Sequence, residues 1–262
     1  GYYMSTDEFV GADFVGSGAF AFDRAKMLVG NPTASYIYFS LASANFPNRL
    51  GNLLPADLDG LNPPPANAPN IFVGYSATEY GDAQDAMRLF EFRADFANPL
   101  NSTFTERADS PLSVPAFDPT SPPERNDILQ PPPGEALDSQ SDRLMYRVAY
   151  RNFGTHESLV FNQTVRITPA SEPYRAGVRL YELRKMNGVF SVNEAATING
   201  NGDGVNRWLG TAAQDHQGNL AVGYTYGNEQ KKPSIYYTGK LSTEPSGTFR
   251  DEAALIEGTG VQ

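Results

Sequence analysis

The segment NGNGDG, residues 199–204, has the residue types and spacing of a calcium loop. Asn199, Asn201 and Asp203 place side-chain oxygens at alternate positions, and a glycine follows them where such a loop turns sharply. Ca²⁺ takes oxygen ligands in this pattern. The twelfth position would be Gly210 instead of a bidentate glutamate, and two of the three ligands are neutral amides. We therefore expect a plain glycine-rich hairpin, with calcium at Asn199, Asn201 and Asp203 as the alternative.

Patterns for nucleophilic or nucleotide chemistry are missing from the sequence. His156 and His216 stand beside turn residues without the spacing of a zinc motif, so we expect both to be turn histidines. No nucleophile elbow, phosphate-binding loop or dinucleotide fingerprint occurs, and the glycines around Ser17 lack the required spacing. These absences argue against acyl transfer and nucleotide-dependent catalysis.

Three arginines recur at the ends of similar aromatic-rich runs, namely Arg24, Arg93 and Arg184. Sialidases hold a carboxylate with three arginines, so this recurrence raises a glycoside hydrolase as an alternative function. Residues 213–219, AQDHQGN, are only loosely related to the Ser-x-Asp-x-Gly-x-x-Trp turn of sialidase propellers, because the glycine is displaced and the tryptophan is missing. A structural repeat explains the arginines without catalysis.

An internal repeat is the element that must position these residues. Each copy has an apolar run that ends near a hydroxyl-bearing residue and, after it, an aromatic-rich run that ends in a cation. Aligned on Thr6, Tyr75, Tyr150 and Tyr224, the copies are 69, 75 and 74 residues apart. The paired runs are YYMST and FAFDR (2–6, 20–24), IFVGYS and LFEFR (71–76, 89–93), LMYRVAYRN and LYELR (144–152, 180–184), and LAVGYTYGN and IYYTGK (220–228, 235–240).

Composition and periodicity predict an all-β fold. The chain has 262 residues with 16 Phe, 14 Tyr, 24 Gly and 20 Pro, which favours short strands joined by turns and loops. Repeated strand pairs that cannot bury both faces alone must stack on their neighbours. We therefore expect a single β-propeller segment with about four blades of a larger ring, in units of about 1–65, 66–140, 141–205 and 206–262. A β-sandwich is the alternative.

Local signals give further expectations. We expect residues 23–28 to be a strand end followed by a turn, because GNP follows at once, and a single helical turn is the alternative. The other expectations are a strand at 35–41, proline-rich loops at 53–70 and 118–140, a hairpin turning at 152–156, and a last short strand at 254–256.

The net charge and the cysteine content limit which kinds of partner and metal site we expect. Thirty acidic and 20 basic residues give a net charge of −10, which repels nucleic acid and anionic lipid. Without cysteine the chain has neither disulfides nor thiolate metal ligands. No apolar stretch approaches the roughly 20 residues that cross a bilayer as a helix. Nucleic acid and membrane insertion are therefore not expected.

Several strings together resemble a family of large secreted bacterial proteins with β-propellers, which are loosely described as sialidase-like or BNR-repeat and have no settled activity. The strings are AFDRAKMLVGNPTASYIYF (21–39), LLPADLDG (53–60), LDSQSDRLMYRVAYRNFGTHESLVFNQTV (137–165), GVRLYELR (177–184), NRWLGTAAQDHQGNLAVGYT (206–225) and PSIYYTGKLSTEPSGT (233–248).

The resemblance implies a secreted or cell-surface location and a chain that continues at both ends. It offers no catalytic residues. We expect a binding or structural role, as a scaffold or in adhesion, with another protein as partner: the rest of the same precursor or neighbouring subunits. A glycan is a further candidate ligand, and a sialidase-like hydrolase of extracellular glycans is the alternative function.

Overall fold

The fold is all-β, as predicted, and is consistent with a partial β-propeller. The computed structural model describes residues 1–41 and 53–262. By its internal contacts the chain divides into two compact units, the first comprising Gly1–Asp57 and Pro63–Ser113 and the second Leu58–Asn62 and Val114–Gln262. The single-domain assignment and its four unit boundaries stay predictions, and residues 42–52 of the first predicted unit lie outside the described residues.

The first unit contains two groups of antiparallel strands. In the first group β2 pairs with both β1 and β3, and in the second the order is β4-β5-β6-β7 with β8 also beside β6. The strands are β1 (Tyr2–Val10), β2 (Asp13–Phe22), β3 (Tyr36–Ser40), β4 (Leu54–Asp59), β5 (Asn70–Ser76), β6 (Ala86–Arg93), β7 (Thr103–Glu106) and β8 (Leu112–Ser113), with helix α1 (Arg24–Leu28) and 3₁₀ turns at Thr78–Tyr80 and Pro99–Asn101.

Two local expectations for this unit are wrong. Residues 23–28 contain helix α1, because the Asp23 side chain caps it by accepting a hydrogen bond from the Lys26 N–H at 3.2 Å. Residues 54–59 of the expected loop form strand β4, where Leu54 and Pro55 pair with β5. A proline is tolerated near the start of a strand, as Pro55 is here, so the number of prolines in residues 53–70 was a misleading sign of a loop.

Phenylalanine side chains on the second strand group fill the core of the first unit. Phe72, Phe90 and Phe92 are fully buried and pack against Ala19 and Ala21 of β2. Tyr3 of β1 and Phe39 of β3 add rings to this core from the first strand group. The rings also meet one another edge-on and in stacks at centroid distances of 5.3 to 6.2 Å, a range in which aromatic pairs are favourable.

The second unit also contains two antiparallel strand groups. Their orders are β12-β11-β10-β9 and β13-β14-β15-β16. The predicted hairpin at 152–156 is confirmed, since the Phe153 N–H donates to the His156 carbonyl at 2.9 Å. The predicted strand at 35–41 (β3) and the predicted last strand are confirmed too. The strands are β9 (Leu144–Asn152), β10 (Glu157–Arg166), β11 (Ala176–Met186), β12 (Val189–Ile198), β13 (Asn206–Gln214), β14 (Leu220–Gly227), β15 (Ser234–Lys240) and β16 (Ala253–Ile256), with a 3₁₀ turn at Gly200–Gly202.

Apolar side chains join the two groups of the second unit. Val178 and Leu180 of β11 and Val222 and Tyr224 of β14 are almost completely buried in one cluster. Residues 118–140 run without an assigned strand, apart from isolated bridges such as that between Ile128 and Leu137, as the six prolines predict. In the described part of the chain no helix is long and apolar enough to cross a membrane.

The aromatic-rich run of every repeat lies in a strand, as predicted: Phe20 in β2, Leu89 in β6, Leu180 in β11 and Ile235 in β15. The apolar runs of the second and fourth copies are second strands of their groups, β5 and β14. In the third copy one strand, β10, lies between the apolar run in β9 and the aromatic-rich run in β11, whereas the two runs of each other copy are consecutive strands.

Candidate functional site

A polar cleft of about 180 Å³ opens within the second unit. Strands β11 and β12 form one wall, and β14, β15 and the residues after β15 form the other. On β11, Glu182 and Arg184 alternate with buried apolar residues, so the pleat directs both into the cleft. On β12 a register shift beside Glu182 lets the consecutive Asn193 and Glu194 both line it. The lining residues are Glu182, Arg184, Asn193, Glu194, Gly218, Leu220, Lys240, Leu241, Ser242, Glu244 and Ser246.

Glu182, on β11, is only 2% exposed, and its carboxylate is held by donors from the protein. Its oxygens accept hydrogen bonds from Arg184 Nε at 2.7 Å, Asn193 Nδ2 at 2.7 Å and Gln214 Nε2 at 2.9 Å, and Ser158 Oγ lies at 3.3 Å. Burial acts to raise the pKa of Glu182, but the bonds from Arg184 and Gln214 outweigh it and lower this pKa. The carboxylate is therefore ionised at neutral pH.

Glu194, on β12, forms a second buried charge pair. Its Oε2 lies 2.5 Å from Lys240 Nζ, and the two side chains are 2% and 5% exposed. Its Oε1 accepts from Ser246 Oγ at 2.8 Å and from the Gly247 N–H at 2.9 Å. Lys240 also donates to the Pro245 carbonyl at 2.7 Å. The pair thus ties β12 and β15 to the turn that follows β15.

The two ion pairs of the cleft, Glu182–Arg184 and Glu194–Lys240, suit a structural role better than proton transfer. A glycosidase needs one carboxylic acid whose pKa is raised and a second carboxylate that acts on the sugar. The pKa of Glu182 is lowered, and Glu194 faces the ammonium of Lys240 at contact distance. Both carboxylates are already supplied with donors from the chain itself. The cleft therefore has a structural explanation that requires no substrate.

The calcium candidates lie in one turn, but the side-chain oxygens of Asn199 and Asp203 accept hydrogen bonds from other groups of the chain. Asn199 Oδ1 accepts from the Asn201 N–H at 3.1 Å. Asp203 receives Arg207 Nη2 at 2.6 Å on Oδ2 and Arg207 Nη1 at 3.0 Å on Oδ1. Burial acts to raise the pKa of Asp203, yet the Arg207 bonds hold this pKa below its ordinary value. Within residues 1–41 and 53–262 no group of three or more His, Asp or Glu side chains could hold a metal. Calcium at this turn stays an untested alternative to a plain turn.

Arg207 is a buried cation that the sequence did not reveal. It is fully buried, and its guanidinium donates to Asp203, to the Val205 carbonyl at 2.8 Å and to both carboxylate oxygens of Glu252 at 2.6 and 2.5 Å. The ring of Tyr226 covers it at 4.9 Å. Glu252 is 45 residues away in sequence, so no local pattern could have paired it with Arg207. All five N–H groups are used, which indicates a structural role.

The recurrent arginines each have a neighbour of their own. Arg184 pairs with Glu182 and Arg93 with Glu91, while Arg24 stacks over the ring of Tyr2 at 5.5 Å. The two histidines lie in turns, as predicted: His156 between β9 and β10, where it stacks on Phe153 at 4.7 Å, and His216 between β13 and β14.

The first strand group leaves a second feature, an exposed sheet face that is turned away from the core. Two rows of register partners cross it, and Phe20 and Tyr38 approach to 4.7 Å between ring centroids. Tyr36 is 62% and Tyr38 41% exposed. We call this surface the aromatic face; it consists of Tyr2, Met4, Phe20, Phe22, Tyr36 and Tyr38.

The last strand group, β13 to β16, also has an exposed face, but small side chains cover most of it instead of aromatic rings. The only charged residues of strands β13 to β16 are Arg207 and Lys240, and both are buried. The solvent side is therefore uncharged, and most of its side chains are small. We call this surface the flat face; it consists of Thr211, Ala213, Ala221, Gly223, Tyr237 and Gly239, with Leu209, Ile235 and Leu255 at its rim.

No known family matches the sequence, and no curated protein matches it. A crystal structure of a protein of unknown function from Dyadobacter fermentans DSM 18053 aligns over 92% of this chain with 8% identity and a TM-score of 0.36. The chain covers 65% of that protein's length. A likeness of this size assigns no function.

Proposed function

We propose that this chain is a secreted or cell-surface β-propeller scaffold that binds other protein through exposed sheet faces and performs no catalysis. The resemblance of residues 21–39, 137–165 and 206–225 to secreted bacterial propeller proteins supports the location. The scaffold role rests on physical features of the strand groups.

The exposed aromatic face is the observation that carries this proposal. An antiparallel sheet with one face in solvent normally alternates apolar residues inward and polar residues outward. Here the outward positions of β1 to β3 carry five aromatic rings and a methionine. Contiguous exposed apolar surface on a soluble protein marks an interaction site. Tyrosine and phenylalanine are also enriched in the cores of protein–protein interfaces.

The alternative, a sialidase-like hydrolase, would act through the glutamates of the polar cleft. The lowered pKa of Glu182 favours the scaffold over this alternative, because a glycosidase needs a carboxylic acid whose pKa is raised. The ion pair with Lys240 already occupies the carboxylate of Glu194. The carboxylates would have to exchange their present partners for substrate.

A turnover assay separates the two functions. The purified chain is incubated with fluorogenic sialosides and with aryl glycosides of common hexoses, beside a known sialidase as positive control. We expect no release of the fluorophore above the buffer blank. Turnover that the Glu194→Gln variant loses, while Glu124→Gln at an exposed glutamate retains it, would establish the hydrolase and reject the scaffold.

A further inference from the structure

We propose that Arg151, on β9, binds a carboxylate group. The proposal goes beyond the scaffold function, because it assigns a ligand to a side chain that belongs neither to the polar cleft nor to the two exposed sheet faces. All the residues that form this site lie in the second unit.

Arg151 is a half-buried cation without a partner of its own. Its Nε is buried and has no acceptor, whereas its two Nη groups remain accessible. Within residues 1–41 and 53–262, no acidic side chain forms an ion pair with its guanidinium. The stem of the side chain is therefore enclosed by protein while its charged end is open to a ligand. A side chain that is already held in place loses little conformational entropy when it binds.

The backbone at Gly60 helps to hold the guanidinium in place. A Cβ at Gly60 would lie 2.5 Å from Arg151 Nη1, so the guanidinium packs directly against this glycine. The φ angle of Gly60 is 80°, a value that glycine adopts readily and other residues rarely do. The glycine in this left-handed position thus leaves room for the charged end of Arg151.

The acidic side chains on the segments beside Arg151 are paired with other cations. Residues 58–62, β10 and β11 carry one acid each. The ion pairs are Asp59 with Arg147, Glu157 with Lys185 and Glu182 with Arg184. Arg151 therefore keeps one positive charge that no acid of these segments neutralises.

The register of the sheet places a second arginine in the same row. Arg151, Ser158 and Arg184 are direct neighbours across β9, β10 and β11, and register partners project to the same side of a sheet. Arg184 donates from Nε and Nη2 to Glu182 at 2.7 and 3.2 Å, so its charge is balanced. The excess in this row is the single charge of Arg151.

A single guanidinium whose stem is enclosed favours a carboxylate among the common anions. A carboxylate carries one negative charge, and its two oxygens match the planar fork of guanidinium N–H groups. A phosphate group carries more than one charge at neutral pH, and the chain has a net charge of −10, which repels polyanions. The ligand is therefore a monocarboxylate, either a free organic acid or an acidic side chain of another protein.

Nuclear magnetic resonance of the arginine Nε–H groups, with sodium acetate as the probe, tests the site. Because the Nε of Arg151 is buried, its proton should exchange slowly with water and give a signal, which the Arg151→Lys variant identifies by its loss. Acetate should shift this signal in a saturable way in the millimolar range, and sodium chloride at equal ionic strength should not. A signal that stays unmoved by acetate, or that moves equally with chloride, would overturn the proposal.

Thermal melts locate the effect at Arg151. A ligand that binds the folded state stabilises it, so acetate should raise the Tm above its value in chloride of equal ionic strength. Arg151→Gln should remove this difference, and Arg151→Lys should reduce it because an ammonium lacks the planar fork. Arg250→Gln, at an arginine that is 58% exposed and paired with Glu244, should keep it. An acetate effect of the same size in Arg151→Gln would contradict a site at Arg151.

Two capped tripeptides identify the source of the carboxylate, one with a central glutamate and a matched one with a central glutamine. A shift of the Arg151 signal with the glutamate peptide alone assigns the site to an acidic side chain of a protein. A shift with acetate but with neither peptide assigns it to a free organic acid. Equal shifts with both peptides would overturn the carboxylate as the group that is bound.

Discussion

Glu182 and Glu194 face each other as register partners across β11 and β12, yet their carboxylates are neutralised by different cations. Glu182 takes Arg184 from its own strand, whereas Glu194 takes Lys240 from β15. Two like charges on adjacent strands destabilise a sheet unless each is compensated. The polar cleft therefore contains two adjacent ion pairs, and a substitution of one cation breaks one pair without removing the other.

Removing Lys240 should destabilise the protein strongly. Lys240→Met leaves Glu194 buried without its cation, and breaking a buried pair costs about 3–5 kcal/mol. Urea unfolding at pH 7 measures this loss. Arg250→Met, which breaks an ion pair whose arginine is 58% exposed, should cost at most about 1 kcal/mol. Equal losses in both variants would show that the Lys240 pair is not buried in solution.

The pH dependence of stability should reveal Glu182. Its folded-state pKa is lowered, so its contribution is present above its unfolded pKa and is lost as the pH falls through the folded value. Glu182→Gln should therefore destabilise the protein most near neutral pH, with the difference from the unaltered chain shrinking on acidification. Urea melts at pH 7 and at about pH 3 compare the two. A difference that stays constant between these pH values would contradict the lowered pKa.

Gly200 should be less replaceable than Gly202, although both have positive φ angles of 62° and 84°. A Cβ at Gly200 would lie 2.3 Å from the Arg207 guanidinium, whereas at Gly202 nothing lies within 4 Å. Gly202→Ala should cost about 1 kcal/mol from backbone conformation alone. Gly200→Ala should cost clearly more in the same denaturation experiment, because Arg207 must move. Similar costs would show that Arg207 is not packed on this turn.

Sequence reasoning recovered the features that depend on local periodicity. The strand runs around Phe20, Leu89, Leu180 and Ile235 alternate and end in turns, and each is a strand. It could not recover pairings between distant residues, such as Arg207 with Glu252 or Glu194 with Lys240, because no local pattern encodes them. Helix α1 was only the alternative for its segment, because a single capping aspartate decides its start. Strand β4 was missed because the five prolines of residues 53–70 indicated a loop.

The turn at Asn199–Asp203 should bind calcium weakly at best. Asp203 supplies its single carboxylate, and that carboxylate is already paired with Arg207. The charge of the ligands sets calcium affinity. Thermal melts with EDTA and with millimolar CaCl₂ should agree within about 1 °C. Stabilisation by calcium that Asp203→Asn abolishes would instead establish the site that the sequence pattern suggests.

The most direct test of the scaffold account is hydroxyl-radical footprinting of the tyrosines, because the account requires the aromatic face to be open to solvent. Tyr36 and Tyr38 on this face should be oxidised at rates close to that of Tyr146, which is 74% exposed on β9. Tyr181, which is fully buried, serves as the internal control and should react much more slowly. Oxidation of Tyr36 and Tyr38 as slow as that of Tyr181 would contradict the account.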